Sequence, residues 1–349
     1  MTLTPYTPLY ELTRGRVVES VHFGALAVVD ATGKLLAWAG DPHGQAYLRS
    51  TAKPFQALPF IEAGGHTHFN FTQKEVALIC ASHTGTDAHA EVAAGIQARI
   101  GLGEEALQCG VHPPYDAATA ERLKAAGQEP TPNRHNCSGK HTGMLAHAVL
   151  KGADAATYLE HDNPVQQAIL TAFAEMCGLE PREVEIGIDG CSAPNFSVPF
   201  HNAAWALARL ADPAGLSEPR TAACRTITAA MLAYPEMVSG PDTFDTDLMQ
   251  ATGGRILTKG GAEGYQGVCV MPGALGKASK ALGIVLKIAD GDRRGWARPA
   301  VTLALLAELG ALSESEMAAL VKYGPRREVT NWRGLLAGEA RPCFTLERA

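Results

Sequence analysis

The chain has 349 residues, 46% of them hydrophobic and 19% charged, and a formal net charge of −6. That composition belongs to an ordinary soluble globular protein, long enough for one large domain or two closely joined ones, and it excludes a disordered chain. No basic excess favours nucleic acid or an anionic membrane surface, and no apolar run reaches the roughly 18 residues that span a bilayer.

The opening, MTLTPYTPLYELTRGRVVES, has no basic flank followed by an apolar core, so no signal peptide is expected and the cytoplasm is the expected location. The segments GALAVVD and KLLAWAGD, separated by Ala31-Thr32-Gly33-Lys34, predict a hairpin within an antiparallel opening. RSTAKPFQALPF then predicts a helix starting around Ser50, because Pro54 is tolerated only in a first turn. QKEVALICA reads as an apolar helix, and DAHAEVAAGIQARIG as a helix capped by Asp87. Helical periodicity dominates from about residue 115 to 245, through AATAERLKAAG, KHTGMLAHAVLKG, NPVQQAILTAFAEMCG, FHNAAWALARLA and TAACRTITAAMLAYPEMV. Strand character returns in YQGVCVMPG and in ALGIVLKIADGDRRG, where Asp290-Gly291-Asp292 makes a turn, and WARPAVTLALLAELG closes as a helix.

Strands at both ends around a helical middle predict an α+β architecture in a single domain over 1–349. An antiparallel sheet built from both chain ends would take about 1–50 and 255–349, and a mainly helical lobe about 51–254. A groove between two such lobes is the expected place for a ligand.

The eight cysteines stand singly, with no Cys-x-x-Cys pair, so neither a zinc ribbon nor a thioredoxin motif is indicated and most are expected as free thiols. Several short polar stretches could carry chemistry. Ser50 and Lys53 stand three apart, on one face if helical, and a serine becomes a nucleophile beside a neutral lysine. The alternative is a helix cap beside an exposed charge. A lysine with its ordinary pKa of about 10.4 is neutral in only about one molecule in a few thousand at pH 7, so burial or a second cation has to lower it. CASHTGTD supplies Ser82 and His83, and LTKGGAEG supplies Lys259. A Ser-x-x-Lys, a second serine and a late Lys-Gly match the order found in Ser-x-x-Lys enzymes.

RHNCSGKHTG admits three readings: a polar loop capping the next helix, a substrate-binding cluster, or part of a metal site in which Cys137 and Cys191 serve as ligands. IGIDGCSAPNF reads as the end of a buried strand followed by a sharp turn, with Asp189 free either to grip an α-amino group or to form an Asx-turn. His66, His68, His112, His161 and His201 sit in no such cluster and read as surface or satisfied core residues.

Taken in order, RSTAKPFQ, CASHTGTD, HNCSGKHTG, IDGCSAPNF and TKGGAEG resemble the L-asparaginase II family over nearly the whole chain. The resemblance implies a fold similar to serine β-lactamases and penicillin-binding proteins. It also implies hydrolysis of the side-chain amide of L-asparagine to L-aspartate and ammonia. On these motifs Ser50 and Lys53 match one Ser-Lys tandem, and Ser82 and Lys259 a second. Cys137, Lys140 and Cys191 match a zinc-binding site. Asp189 matches a substrate-binding carboxylate, with Arg49 and His141 at further motif positions. The resemblance further implies a homodimer. Two alternatives remain: a β-lactamase-like peptidase or esterase acting on a larger acyl donor, and a non-catalytic amino-acid sensor on the same scaffold.

Overall fold

The computed structural model describes residues 5–349. Residues 1–4, within the opening stretch where no signal peptide is expected, lie outside the described residues. In chain order the strands β1 (Thr7–Arg14), β2 (Val17–Asp30), β3 (Leu35–Ala39) and β4 (Gln45–Tyr47) lead into the helices α1 (Lys53–Glu62), α2 (Gly65–His68), α3 (Gln73–Ile79) and α4 (Asp87–Arg99). Then come α5 (Ala117–Ala125), α6 (Ser138–Lys151), α7 (Pro164–Cys177), β5 (Glu185–Ile188), β6 (Pro194–Pro199) and α8 (Phe200–Ala211). They are followed by α9 (Glu218–Ala233), α10 (Pro235–Val238), α11 (Phe244–Ala251), β7 (Ile256–Gly260), β8 (Tyr265–Val270) and β9 (Leu282–Ile288). The chain ends with α12 (Ala297–Glu308), α13 (Glu314–Ala319), β10 (Arg327–Thr330), β11 (Leu336–Pro342) and β12 (Glu347–Arg348). The fold class is the expected α+β.

Two compact units are present. One takes in the described residues up to Ala46 together with Val198–Asp212 and Asp247–Ala349. Its sheet runs in the order β10-β11-β1-β2-β9-β8-β7, with β3 pairing both β2 and β12. The strand pairs are antiparallel, and strands from both chain ends meet at β1–β11 and β2–β9. The expected hairpin is β2–β3, with Leu26 opposite Ala39, and the Asp30 amide bonded to the Lys34 carbonyl across the turn. Gly283 on β9 is what lets α8 lie against the sheet: a Cβ there would sit 1.8 Å from the Ala204 carbonyl oxygen.

The other unit comprises Tyr47–Ser197 and Pro213–Thr246 and is mainly helical. Its apolar interior includes Phe55, Phe173 and Phe196, whose rings meet at 5.8 Å (Phe55–Phe173) and 4.7 Å (Phe173–Phe196). Helix α6 is buried without a break from Ser138 to Ala148, as a helix packed on several sides must be. It packs against α1, α3, α4 and α7. Its two glycines allow the approach to α3: a Cβ on Gly139 would lie 2.2 Å from the Leu78 carbonyl oxygen, and one on Gly143 2.9 Å from Ile79 Cβ.

Three local expectations are corrected. Ser50 lies in a 3-10 turn, Arg49–Ala52, and α1 proper begins at Lys53 with Pro54 in its first turn. The cap of α4 is Thr86, whose amide donates to His89 Nδ1 at 3.1 Å, while Asp87 is the first helical residue. The strand before Asp189 is not buried: β5 pairs on one side with β6, and Ile188 is 86% exposed. Among the described residues no helix is long and apolar enough to cross a membrane.

Candidate active site

The turn that delivers Ser50 starts from an unusual backbone. Arg49 has φ 51°, in the left-handed region that a side-chain-bearing residue adopts only when its surroundings hold it there. Its amide donates to Asn195 Oδ1 at 3.1 Å. Its guanidinium places Nε at 2.9 Å and a terminal nitrogen at 2.7 Å from Asp189 Oδ1, and the Gly190 amide donates to the same oxygen at 2.7 Å. Burial pushes the Asp189 pKa up, but the Arg49 hydrogen bond and the charges of Lys140 and Arg49 hold it below the ordinary carboxylate value. Asp189 is therefore a fixed anion, with three N–H groups gathered on one oxygen.

Ser50 is buried, and its Oγ lies 3.2 Å from Ser82 Oγ. Ser82 follows α3, where a Thr72–Glu75 capping box fixes the start of the helix, and its amide donates to the Val238 carbonyl at 2.9 Å. The Asn136 carboxamide lies 3.2 Å from Ser82 Oγ on one side and 3.2 Å from His112 Nε2 on the other. His83, fully buried, ties the two loops together. Its Nδ1 accepts from the Gly85 amide at 3.2 Å, so Nε2 carries the proton toward Ser138 Oγ at 3.0 Å, and the His83 amide donates to the Asn136 carbonyl at 3.1 Å.

Lys53 is only 1% exposed. Among the described residues its Nζ donates to Cys137 Sγ at 3.2 Å and to the Asn136 carbonyl at 3.4 Å, rather than to Ser50 Oγ. The two residues of the first tandem thus share a neighbourhood without a direct bond.

Cys137, Lys140 and Cys191 also come together. Lys140 Nζ donates to Cys191 Sγ at 2.9 Å, and a hydrogen bond from Cys191, with the charges of Lys53 and Lys140, holds the Cys137 thiol well below its ordinary pKa against the effect of burial. Burial works against the Lys140 ammonium, but the charges of Cys191 and Cys137 keep its pKa raised. His141 is fully buried, and burial pushes its pKa down to about 4. Its Nδ1 meets the Tyr158 hydroxyl at 2.6 Å, while Nε2 has no hydrogen-bond partner among the described residues. Among those residues no group of three His, Cys, Asp or Glu side chains is arranged to hold a metal ion. The donor set at this point is two thiols and an amine, beside an orphaned imidazole nitrogen. Soft sulfur and nitrogen donors of this kind fit zinc once Lys140 has given up its proton.

Lys259 belongs to the sheet-containing unit. It is buried on β7, opposite Gly267 of β8, and its Nζ donates to the Gly260 carbonyl at 2.7 Å. Lys259, which stands before two glycines, is thus a strand residue. Two participants escape the motifs. Tyr158 holds His141, and His112, which reads as a surface or satisfied core histidine, stacks on Tyr115, lies 4.3 Å centroid to centroid from His135 and reaches Asn136. Asn136 sits within a polar run visible in the sequence, but nothing in that run points to His112, 24 positions earlier.

A family model described as L-asparaginase II matches residues 10–342. No curated protein matches the chain. Among solved structures, the chain is similar to Mglu in its tris and glutamate form at 14% identity and a TM-score of 0.43, over 82% of this chain and 59% of that one. It is also similar to a probable glutaminase from Bacillus subtilis complexed with 6-diazo-5-oxo-L-norleucine, at 14% identity and a TM-score of 0.39, over 82% of this chain and 84% of that one. The chain thus spans about three fifths of the length of Mglu.

Proposed function

The chain belongs to the L-asparaginase II family, and from that premise we propose that it is an amidohydrolase that converts L-asparagine to L-aspartate and ammonia. The observation that carries the reading is the Ser50–Ser82 hydroxyl contact at 3.2 Å in the same unit as the buried Lys53 and the Arg49–Asp189 pair. Binding alone has no use for paired serines beside a buried amine.

In this reading Asp189 receives the α-ammonium of the substrate on Oδ2, since its Oδ1 already takes the Arg49 and Gly190 donors. Ser50 Oγ attacks the side-chain amide carbon and its proton passes to Lys53, which can take it once its own amine has given up a proton. The tetrahedral intermediate collapses as Lys53 returns that proton to the departing nitrogen, which leaves as ammonia. Water then opens the Ser50 ester, releasing aspartate and restoring the hydroxyl. Cys137, Lys140 and Cys191 would hold a zinc ion. When bound, it would supply a positive charge that offsets the two thiolates next to the substrate's amino-acid end.

The test is ammonia release from L-asparagine at pH 8 by the wild-type protein, Ser50→Ala and Ser82→Ala. The expected result is release by the wild type and none by Ser50→Ala. Release that survives Ser50→Ala but disappears in Ser82→Ala transfers the nucleophile to Ser82. No release by the wild type rejects the reading.

A further inference from the structure

We propose that Asn195 is a positioning residue that fixes the distance between the substrate's amino-group site and the nucleophile, and so selects the length of the amide side chain that is hydrolysed. The proposal rests on the reading of Asp189 as the ammonium site and Ser50 as the nucleophile. Both ends of that span are held by one hairpin, β5–β6. Asp189 stands at its turn, which is closed by the Asp189 amide on the Ala193 carbonyl at 2.9 Å and the Ser192 amide on the Asp189 carbonyl at 2.9 Å. Asn195 lies on β6 opposite Gly187 and is buried. Its Oδ1 accepts the Arg49 amide at 3.1 Å. A backbone N–H can only donate, so the oxygen of the carboxamide is the atom that faces it.

Arg49 immediately precedes Ser50 and has φ 51°. A residue with a side chain is strained in that region, and the strain persists only while neighbouring contacts hold it. The hairpin grips Arg49 twice, at the backbone through Asn195 and at the guanidinium through Asp189. The flanking ties do not use the Asn195 side chain. The Leu48 amide donates to the Phe196 carbonyl at 2.9 Å, and Gln56 Nε2 to the Pro194 carbonyl at 3.2 Å. Removing the carboxamide therefore leaves the segment docked and frees only the peptide that leads into Ser50. Arg49 then relaxes toward negative φ and swings Ser50 Oγ relative to Asp189, while its long side chain keeps hold of the carboxylate. Asparagine and glutamine differ by one methylene between the α-carbon and the amide. A span that is no longer fixed discriminates less between them.

The experiment measures ammonia release from L-asparagine and L-glutamine by the wild type, Asn195→Ala and Asn195→Asp. Asn195→Ala is expected to lower kcat for asparagine about tenfold with KM little changed. It should also narrow the ratio of the two kcat/KM values by about tenfold, the order of discrimination that one methylene supplies. Asn195→Asp keeps an accepting oxygen in the same place, ionised or not, and should recover most of both. Unchanged kcat and ratio in Asn195→Ala overturn the proposal. So does a rise in KM alone, a proportional loss on both amides, a loss that Asp does not restore, or a wild type that does not distinguish the two amides. A wild type that prefers glutamine rejects asparagine as the substrate, and the proposal stands if Asn195→Ala narrows the ratio. A wild type that releases ammonia from neither amide rejects the proposed function. The positioning role is then read from the rate at which a fluorophosphonate labels Ser50. A slower rate in Asn195→Ala, restored in Asn195→Asp, sustains it, and equal rates or no labelling overturn it.

Discussion

At the scale of single residues, the Arg49–Asp189 pair shows how a charge is kept and aimed. Three N–H groups crowd Oδ1, so the carboxylate stays ionised and its second oxygen is the one left to meet a cation. Replacing Asp189 by Asn keeps the shape and removes the charge. A hydrogen bond between charged groups contributes about 1.5–3 kcal/mol, and about 1.4 kcal/mol is a tenfold change in binding. Asp189→Asn is therefore expected to raise KM for asparagine about 10- to 100-fold with a smaller change in kcat, measured by initial-rate kinetics. A fall in kcat at constant KM would remove Asp189 from substrate binding. The motifs made Ser50, Lys53, Ser82, Asp189 and the Cys137–Lys140–Cys191 set legible because each lies in a short run of polar residues and glycine that breaks the apolar periodicity. Lys53 shows the limit of that reading, since spacing places it near Ser50, whereas its amine is bound to Cys137 and a carbonyl. His112 was illegible for a different reason: it joins the site through a loop contact, and loop contacts have no period.

At the scale of elements, the separation of the two polar loops is set by glycines. Helix α3 runs into Ser82 and α6 starts just after Cys137, and the two helices approach until Gly139 meets the Leu78 backbone. Gly139→Ala would put a methyl group 2.2 Å from that carbonyl oxygen, so the helices must part. Overpacking costs about 1–3 kcal/mol, more than the roughly 1 kcal/mol that alanine adds to a helix interior. The expected outcome is a lower melting temperature and a rate of ammonia release from asparagine reduced by tenfold or more. Gly95 on α4 is the control, because a Cβ there meets nothing within 4 Å. Gly95→Ala should raise the melting temperature and leave ammonia release unchanged, and similar behaviour of the two variants would show that the close approach at Gly139 is unimportant. Elements with strong internal contrast, such as the β2–β3 hairpin and α6, were legible in the sequence. Strands β10 and β11 were not, because REVT and LAGEARP are mostly half-exposed or exposed and carry no clean apolar alternation. The cap of α4 moved from Asp87 to Thr86 because His89 supplies a ring nitrogen to the Thr86 amide, a partner that one-residue cap preferences do not anticipate.

At the scale of the whole molecule, the protein carries an unusual load of buried, neutral histidine. Burial pushes His135, His141 and His147 down to about 4 and His83 well below the ordinary value, and it lowers His89 as well. In the unfolded chain these rings titrate near 6.5. Below that pH the unfolded chain takes up protons that the folded chain refuses, so stability is fully present above about 6.5 and is lost as pH falls toward 4. Carboxylates held low, such as Glu75 and Asp189, act in a separate and more acidic window, because their unfolded values lie near 4. His147 isolates the effect. It lies on α6 with its ring 6.1 Å from that of Phe60, and neither ring nitrogen has a partner among the described residues. A shift from 6.5 to about 4 corresponds to about 3 kcal/mol lost by pH 4, with a limiting slope of about 1.4 kcal/mol per pH unit for one proton. His147→Leu keeps an apolar body in the same space and removes the proton. Urea unfolding at pH 7, 6 and 5 should show the variant losing less stability than the wild type at each step down, by up to that slope. Parallel pH dependences in the two proteins would mean that His147 protonates in the folded state as readily as in the unfolded one, and the acid lability would then have to come from the other buried rings.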